Sequence, residues 1–143
     1  MSAASADRIR VVAALIGRPP GRDRFLVQQR PAGVKRGLLW EFPGGKVEAG
    51  ESDWQALVRE CREELGVELK VGGRRWAGRH RYEDLEVELV LYDAKIISGS
   101  PVPLRANAVR CLTAREMKSL PFCEADIPLL DALESGLLSA PPR

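Results

Sequence analysis

Hydrophobic residues along this 143-residue chain recur at two spacings, and the places where one gives way to the other outline a fold. "RIRVVAALIG" is a short apolar run suited to a strand, and "RFLVQQR" sets Phe25, Val27 and Gln29 against Leu26, Gln28 and Arg30 on opposite faces. The intervening "RPPGRD" reads as a turn, so the two strands are expected to pair as a hairpin. Leu85, Val87, Leu89 and Leu91 alternate with Glu86, Glu88, Val90 and Tyr92, which predicts a half-buried strand, and "VRCLT" predicts a shorter one. In "LLWEFPGGKVEAGES" the residues Pro43, Gly44, Gly45 and Gly50 mark a structured loop with sharp turns.

Helical spacing takes over after Ser52, an N-cap oxygen with Gln55 three residues on, and Gly66 supplies the stop, so a helix is expected over about 53–65. "AREMKSL" and "ADIPLLDALESG" read as closing helices, the second with Pro128 in its first turn, where a missing N–H does no harm. Strands interleaved with helices, joined partly by hairpins, predict an α/β fold: an α/β/α sandwich around a mixed sheet.

Charge makes the helix over 53–65 unusual. At about 100° per residue, Trp54, Leu57, Val58, Cys61 and Leu65 form a stripe expected to face the core. Glu60, Glu63 and Glu64 form an adjoining stripe, with Arg59 and Arg62 on the other flank. The i,i+3 and i,i+4 repulsions, with two acids beside the C-terminal carbonyls, cost on the order of 1–2 kcal/mol. A divalent cation would reverse that sign, and Mg²⁺, which binds through one or two carboxylates, water and substrate phosphates, suits such a stripe. A solvated acidic face is the alternative.

Bulk composition narrows the class. With 45% hydrophobic and 29% charged residues over 143 positions, one folded domain spanning residues 1–143 is expected. No apolar run approaches a membrane span, and "MSAASADR" lacks the features of a secretory signal, so no membrane partner and a cytoplasmic location are expected. Cys61, Cys111 and Cys123 form no C-x-x-C pair, which points to reduced, structural thiols. A net charge of +2 is too mild for a nucleic-acid polymer, while scattered arginines accommodate a phosphorylated small molecule.

The residues around the helix carry a resemblance. Gly45, five residues, Glu51, seven residues, then Arg59-Glu60-Cys61-Arg62-Glu63-Glu64-Leu65-Gly66-Val67 resembles the complete Nudix box, with Cys61 where that family usually has an aliphatic residue. "LWEFPGGKVEAGES" and "ADIPLL" extend the similarity to the MutT-type branch, over about residues 8–136. The resemblance implies that Glu60, Glu63 and Glu64, with a backbone carbonyl at Gly44, hold Mg²⁺ or Mn²⁺ in its place. It also implies that Glu51 and Arg59 brace loop against helix, and that a nucleoside triphosphate is hydrolysed to the monophosphate and pyrophosphate. Oxidised or non-canonical nucleotides such as 8-oxo-dGTP, or CTP and modified dCTP, are the expected substrates.

Outside the box, Arg30 matches a family arginine that contacts phosphates, with a surface salt bridge as the alternative, and Lys46 either assists it or is simply a loop lysine. Asp126, an ionised carboxylate, either reads a donor-rich base edge or caps the last helix. The chain has no Asp or Glu from Ala94 to Arg115, where MutT-like enzymes often add a glutamate, so the base role falls to Glu60, Glu63 or Glu64. His80, the single histidine, reads as structural. Hydrolysis of a dinucleoside polyphosphate or an ADP-sugar, and a non-catalytic nucleotide-binding regulator, stay open beside this, as does a monomer or a homodimer.

Overall fold

The computed structural model describes residues 7–18 and 23–138. Its elements run β1 (Asp7–Ile16), β2 (Arg24–Gln29), β3 (Trp40–Glu41), β4 (Gly44–Lys46), α1 (Asp53–Leu65), β5 (Glu68–Arg81), β6 (Leu85–Ser98), β7 (Ala108–Thr113), α2 (Ala114–Met117), a 3₁₀ turn (Glu124–Asp126) and α3 (Ile127–Ser135). They make a mixed α/β architecture. One sheet has the order β4-β1-β6-β5, with β1 parallel to β6 and antiparallel to β4, and the other has the order β3-β2-β7.

The expected β1–β2 hairpin exists only at its root, where Gly17 bridges Phe25 and Arg18 N donates to Arg24 O at 3.0 Å. Beyond that point the strands part into different sheets, because each finds longer partners elsewhere: β1 pairs with β6 along its whole length and β2 with β7. Residues 19–22 of the expected turn lie outside the described residues. β5 had no signal in the pattern. Its "ELKVGGRRWAGRHR" breaks alternation with paired glycines and a register shift at Val71–Arg74, so no period-2 stripe survives. "AREMKSL" is helical only over Ala114–Met117.

Two apolar clusters separate the layers. Odd-numbered residues of β1 and β6 (Ala13, Leu15, Val87, Leu89, Leu91) pack with Trp40, Phe42, Leu129 and Leu130, while even-numbered residues (Val12, Ala14, Ile16) pack with Ala56, Leu57, Cys61 and Leu65 of α1. Period-2 strands sandwiched between helices need two apolar faces, and β1 supplies both with "VVAALI".

α1 begins and ends where its caps dictate. Ser52 Oγ accepts from Gln55 N at 3.1 Å, Gln55 Oε1 accepts from Ser52 N at 2.9 Å, and Gly66 closes the helix in the left-handed conformation. Its first turn is tied to the sheet: Arg10 of β1 donates to both carboxylate oxygens of Asp53 at 2.8 and 2.5 Å, and Tyr92 of β6 donates to Asp53 at 2.6 Å. The buried stripe departs from the expected one. Trp54 is 55% exposed, and Ala56 takes the buried place on the core side. Among the described residues no helix is long and apolar enough to cross a membrane.

Candidate active site

The loop that leads into α1 runs against the core, and two adjacent glycines make that approach feasible. At Gly44 (φ 149°) a Cβ would stand 1.9 Å from Val12 O, and at Gly45 it would stand 2.2 Å from a Glu60 carboxylate oxygen. The backbone of β4 therefore lies directly beside the acidic face of α1. Gly44 N donates to Glu64 Oε1 at 3.1 Å.

Arg59 ties the assembly together. Its guanidinium donates to Glu51 at 2.6 and 2.9 Å, to Lys46 O at 3.1 Å and to Glu60 Oε1 at 2.6 Å. The Arg59 side chain is long enough to leave its own flank, so the acidic stripe is not free of cations as its spacing suggested. Glu63 is drawn to the rim, 2.9 Å from Arg105 and 3.6 Å from Arg59. Its partner Arg59, with a backbone N–H from Glu48, pulls the Glu51 carboxyl down to about 2.

Glu64 is treated differently. Among the described residues no cation is ion-paired with it. Instead Gln28 Nε2 bridges Glu64 Oε2 at 3.1 Å and Glu41 Oε2 at 3.3 Å. Desolvation, then the neighbouring Glu41 and Glu60, push the Glu64 carboxyl up to about 8. Burial raises Glu41 as well, opposed by Arg30, whose Nη1 lies 3.3 Å from Glu41 Oε1.

Arg30, Glu41, Gly44, Glu60 and Glu64 line one cleft of about 300 Å³ that also includes Lys46, Phe42, Tyr82, Cys123 and Asp126. Asp126 is buried at 6% exposure, and its Oδ2 accepts from Phe42 N at 3.2 Å. It makes no side-chain cap on α3, so the capping alternative has no support in this geometry. Burial, then Glu41, push its carboxyl up to about 8.

Of the residues singled out in sequence, the fold brings Arg30, Gly44, Lys46, Glu60, Glu64 and Asp126 to this cleft, with Glu51 and Arg59 behind it and Glu63 at its edge. His80 is outside, 3.2 Å from Glu124 and edge-on to Tyr82. Two residues were missed, Gln28 and Glu41. Each carried a signal: Gln28 is polar at a strand position that follows buried Leu26 and Val27, and Glu41 is an acid inside the apolar "LLWEF". Cys61 and Cys123 are buried free thiols whose acidity burial suppresses.

Among the described residues, no three acid, histidine or cysteine side chains already converge as a closed metal cage, since Glu60 is turned to Arg59 and Glu63 to Arg105. The donor set nonetheless fits a hard divalent cation. Glu41, Glu60 and Glu64 are crowded, desolvated oxygen donors whose mutual repulsion such a cation relieves, and an open set suits an ion that keeps water and phosphate ligands.

Residues 7–132 match the NUDIX domain family. A CTP pyrophosphohydrolase of Escherichia coli (strain K12) is 40% identical over 124 residues, spanning 87% of this chain and 90% of that protein. A putative 8-oxo-dGTP diphosphatase 2 of Mycobacterium tuberculosis is 36% identical over 71% of this chain and 72% of its own. The solution structure of the E. coli ORF135 protein superimposes with a TM-score of 0.73 at 37% identity, covering 91% of both chains.

Proposed function

The chain belongs to the NUDIX domain family and is a Nudix hydrolase, and from that premise we propose a Mg²⁺-dependent nucleoside triphosphate pyrophosphohydrolase that releases a nucleoside monophosphate and pyrophosphate. The observation that carries this reading is the pairing, in one cleft, of a crowded carboxylate cluster (Glu41, Glu60, Glu64) with a buried acid, Asp126. A regulator that only bound nucleotide would not need carboxylates held at such electrostatic cost.

In this reading Glu60 and Glu64 hold the cation, Glu41 supplies a further oxygen from β3, and Glu63 serves at the rim. Mn²⁺ would replace Mg²⁺. When bound, the cation supplies charge neutralisation at the phosphates and a more acidic water. Arg30 and Lys46 take the phosphate oxygens, Arg30 through a planar guanidinium that suits them. Glu64, held by the Gly44 N–H and Gln28, accepts the proton of the attacking water. Arg59 and Glu51 keep the Gly44–Lys46 backbone in place.

Asp126 sets the base. A protonated carboxyl offers one O–H donor beside one acceptor. Cytosine matches this with N3 beside its N4 amino group, and oxidised guanine matches it with N7–H beside a carbonyl. CTP or modified dCTP and 8-oxo-dGTP are therefore the proposed substrates, in keeping with the activities named for its relatives. Above about pH 8 Asp126 becomes acceptor-only. From pH 6 to pH 9, kcat/KM for CTP should carry a component from the titration of Asp126 in the wild type that is missing in Asp126→Asn, whose amide keeps both donor and acceptor. An identical pH response in the two proteins would remove Asp126 from base reading.

A further inference from the structure

The loop between β2 and β3 carries an arginine that the mechanism above leaves unused. This loop is braced along its length. Arg30 N donates to Leu39 O at 2.8 Å, Leu38 N donates to Arg30 O at 3.0 Å, and Arg30 Nε donates to Lys35 O at 3.1 Å. Lys35 Nζ and Arg36 Nη1 both reach Asp84, at 3.1 and 3.2 Å. Two non-glycine residues, Arg36 (φ 58°) and Leu38 (φ 63°), are held left-handed, a conformation that persists only where the surroundings over-determine it and that gathers at ligand sites.

The product of this bracing is the position of one side chain. Arg36 Cζ lies 4.3 Å from the centroid of the Tyr82 ring. Tyr82 is fixed in turn: its hydroxyl accepts from Ala125 N at 2.9 Å, and His80 packs edge-on, 4.5 Å between centroids. Ala125 adjoins Asp126, and Arg36, Tyr82 and Asp126 all line the same cleft. Arg36 thus belongs with the buried acid, whereas the carboxylates of α1 gather around Gly44. The link to Asp84 engages an N–H on the edge of the guanidinium plane, not its face. A guanidinium face backed by an aromatic ring is a surface on which a flat heterocycle stacks.

We propose that Arg36 is a substrate-contacting residue that sets specificity: with Tyr82 behind it, its guanidinium forms the surface on which the nucleobase lies while Asp126 meets the base edge. This rests on the nucleotide-hydrolase reading above and adds the base-stacking residue to it. An arginine that gripped phosphate would act on any phosphorylated ligand, and one that only tied the loop to Asp84 would act on none.

Calorimetric binding of CMP, GMP and ribose 5-phosphate to metal-free protein separates these roles without requiring turnover. The wild type should bind at least one of the two nucleotides more tightly than ribose 5-phosphate. Arg36→Ala should weaken that nucleotide by about tenfold, the scale of losing one stacking partner, and leave ribose 5-phosphate unchanged. Arg36→Lys keeps the charge and a reach to Asp84 but not the plane, so it should lose as much as Arg36→Ala, and it decides the matter if the alanine variant fails to fold. Equal losses for nucleotide and ribose 5-phosphate, full binding by Arg36→Lys, or a wild type that binds both nucleotides no better than the bare sugar phosphate would each overturn the proposal. Base-dependent binding by a protein that hydrolyses no triphosphate would leave it standing and remove the hydrolase reading instead.

Discussion

Glu60→Gln and Glu64→Gln should each lower turnover by about 100-fold or more, a barrier increase on the order of 2.7 kcal/mol. Each change removes a carboxylate from the cluster that the proposed cation needs, while keeping the shape of the side chain. Folding should survive. Glu64 accepts hydrogen bonds from Gly44 N and Gln28 Nε2, and a glutamine oxygen can still accept one of them. Because the folded-state pKa of Glu64 is raised to about 8, its favourable contribution is complete below the ordinary carboxylate range and is lost as pH rises through about 8. The metal-free Glu64→Gln protein should therefore gain in Tm relative to the wild type between pH 5 and pH 9. Near-normal activity of both variants at saturating Mg²⁺ would remove these residues from the site.

Breaking the brace should be the next most damaging change. Glu51→Ala and Arg59→Ala are expected to reduce kcat by one to two orders of magnitude, although neither removes a carboxylate of the Glu41–Glu60–Glu64 cluster. Arg59 holds three things at once: Glu51, the Lys46 carbonyl and the Glu60 carboxylate. Without it the Gly44–Lys46 backbone and Glu60 lose their common reference. Arg59→Lys should recover only part of the activity, since an ammonium cannot donate in three directions from one plane. Steady-state kinetics on the three variants would show this, and unchanged kcat in all of them would mean that the ion pair is ornamental. The brace should be insensitive to pH across the neutral range, because Glu51, lowered to about 2, stays ionised until strongly acid conditions.

The parts of the fold that could be read in advance are those in which one local rule dominates. Ser52, Gln55 and Gly66 bound α1 as their chemistry requires, and the alternation of residues 85–92 marks β6. β5 escaped because paired glycines and four arginines leave no stripe, and its strand character comes from pairing with β6. Trp54 illustrates the limit of a helical wheel: its angle is compatible with the core, yet it is 55% exposed and Ala56 takes the buried place. In the candidate site, spacing marked the acidic stripe of α1, while Arg30, Gly44 and Lys46 were singled out through the family resemblance. Glu41 and Gln28 were not, because only the tertiary fold sets β2 and β3 against α1. The state of Asp126 was likewise out of reach, since sequence does not show that it is buried beside another acid.

The most direct test is to incubate the purified protein with a panel of nucleoside triphosphates that includes CTP, modified dCTP and 8-oxo-dGTP, with Mg²⁺ or with EDTA, and to separate the products by chromatography. Equal amounts of nucleoside monophosphate and pyrophosphate, formed with Mg²⁺ and absent with EDTA, are the predicted result. A nucleoside diphosphate with inorganic phosphate, hydrolysis that persists in EDTA, or no hydrolysis of any triphosphate in the panel would contradict it.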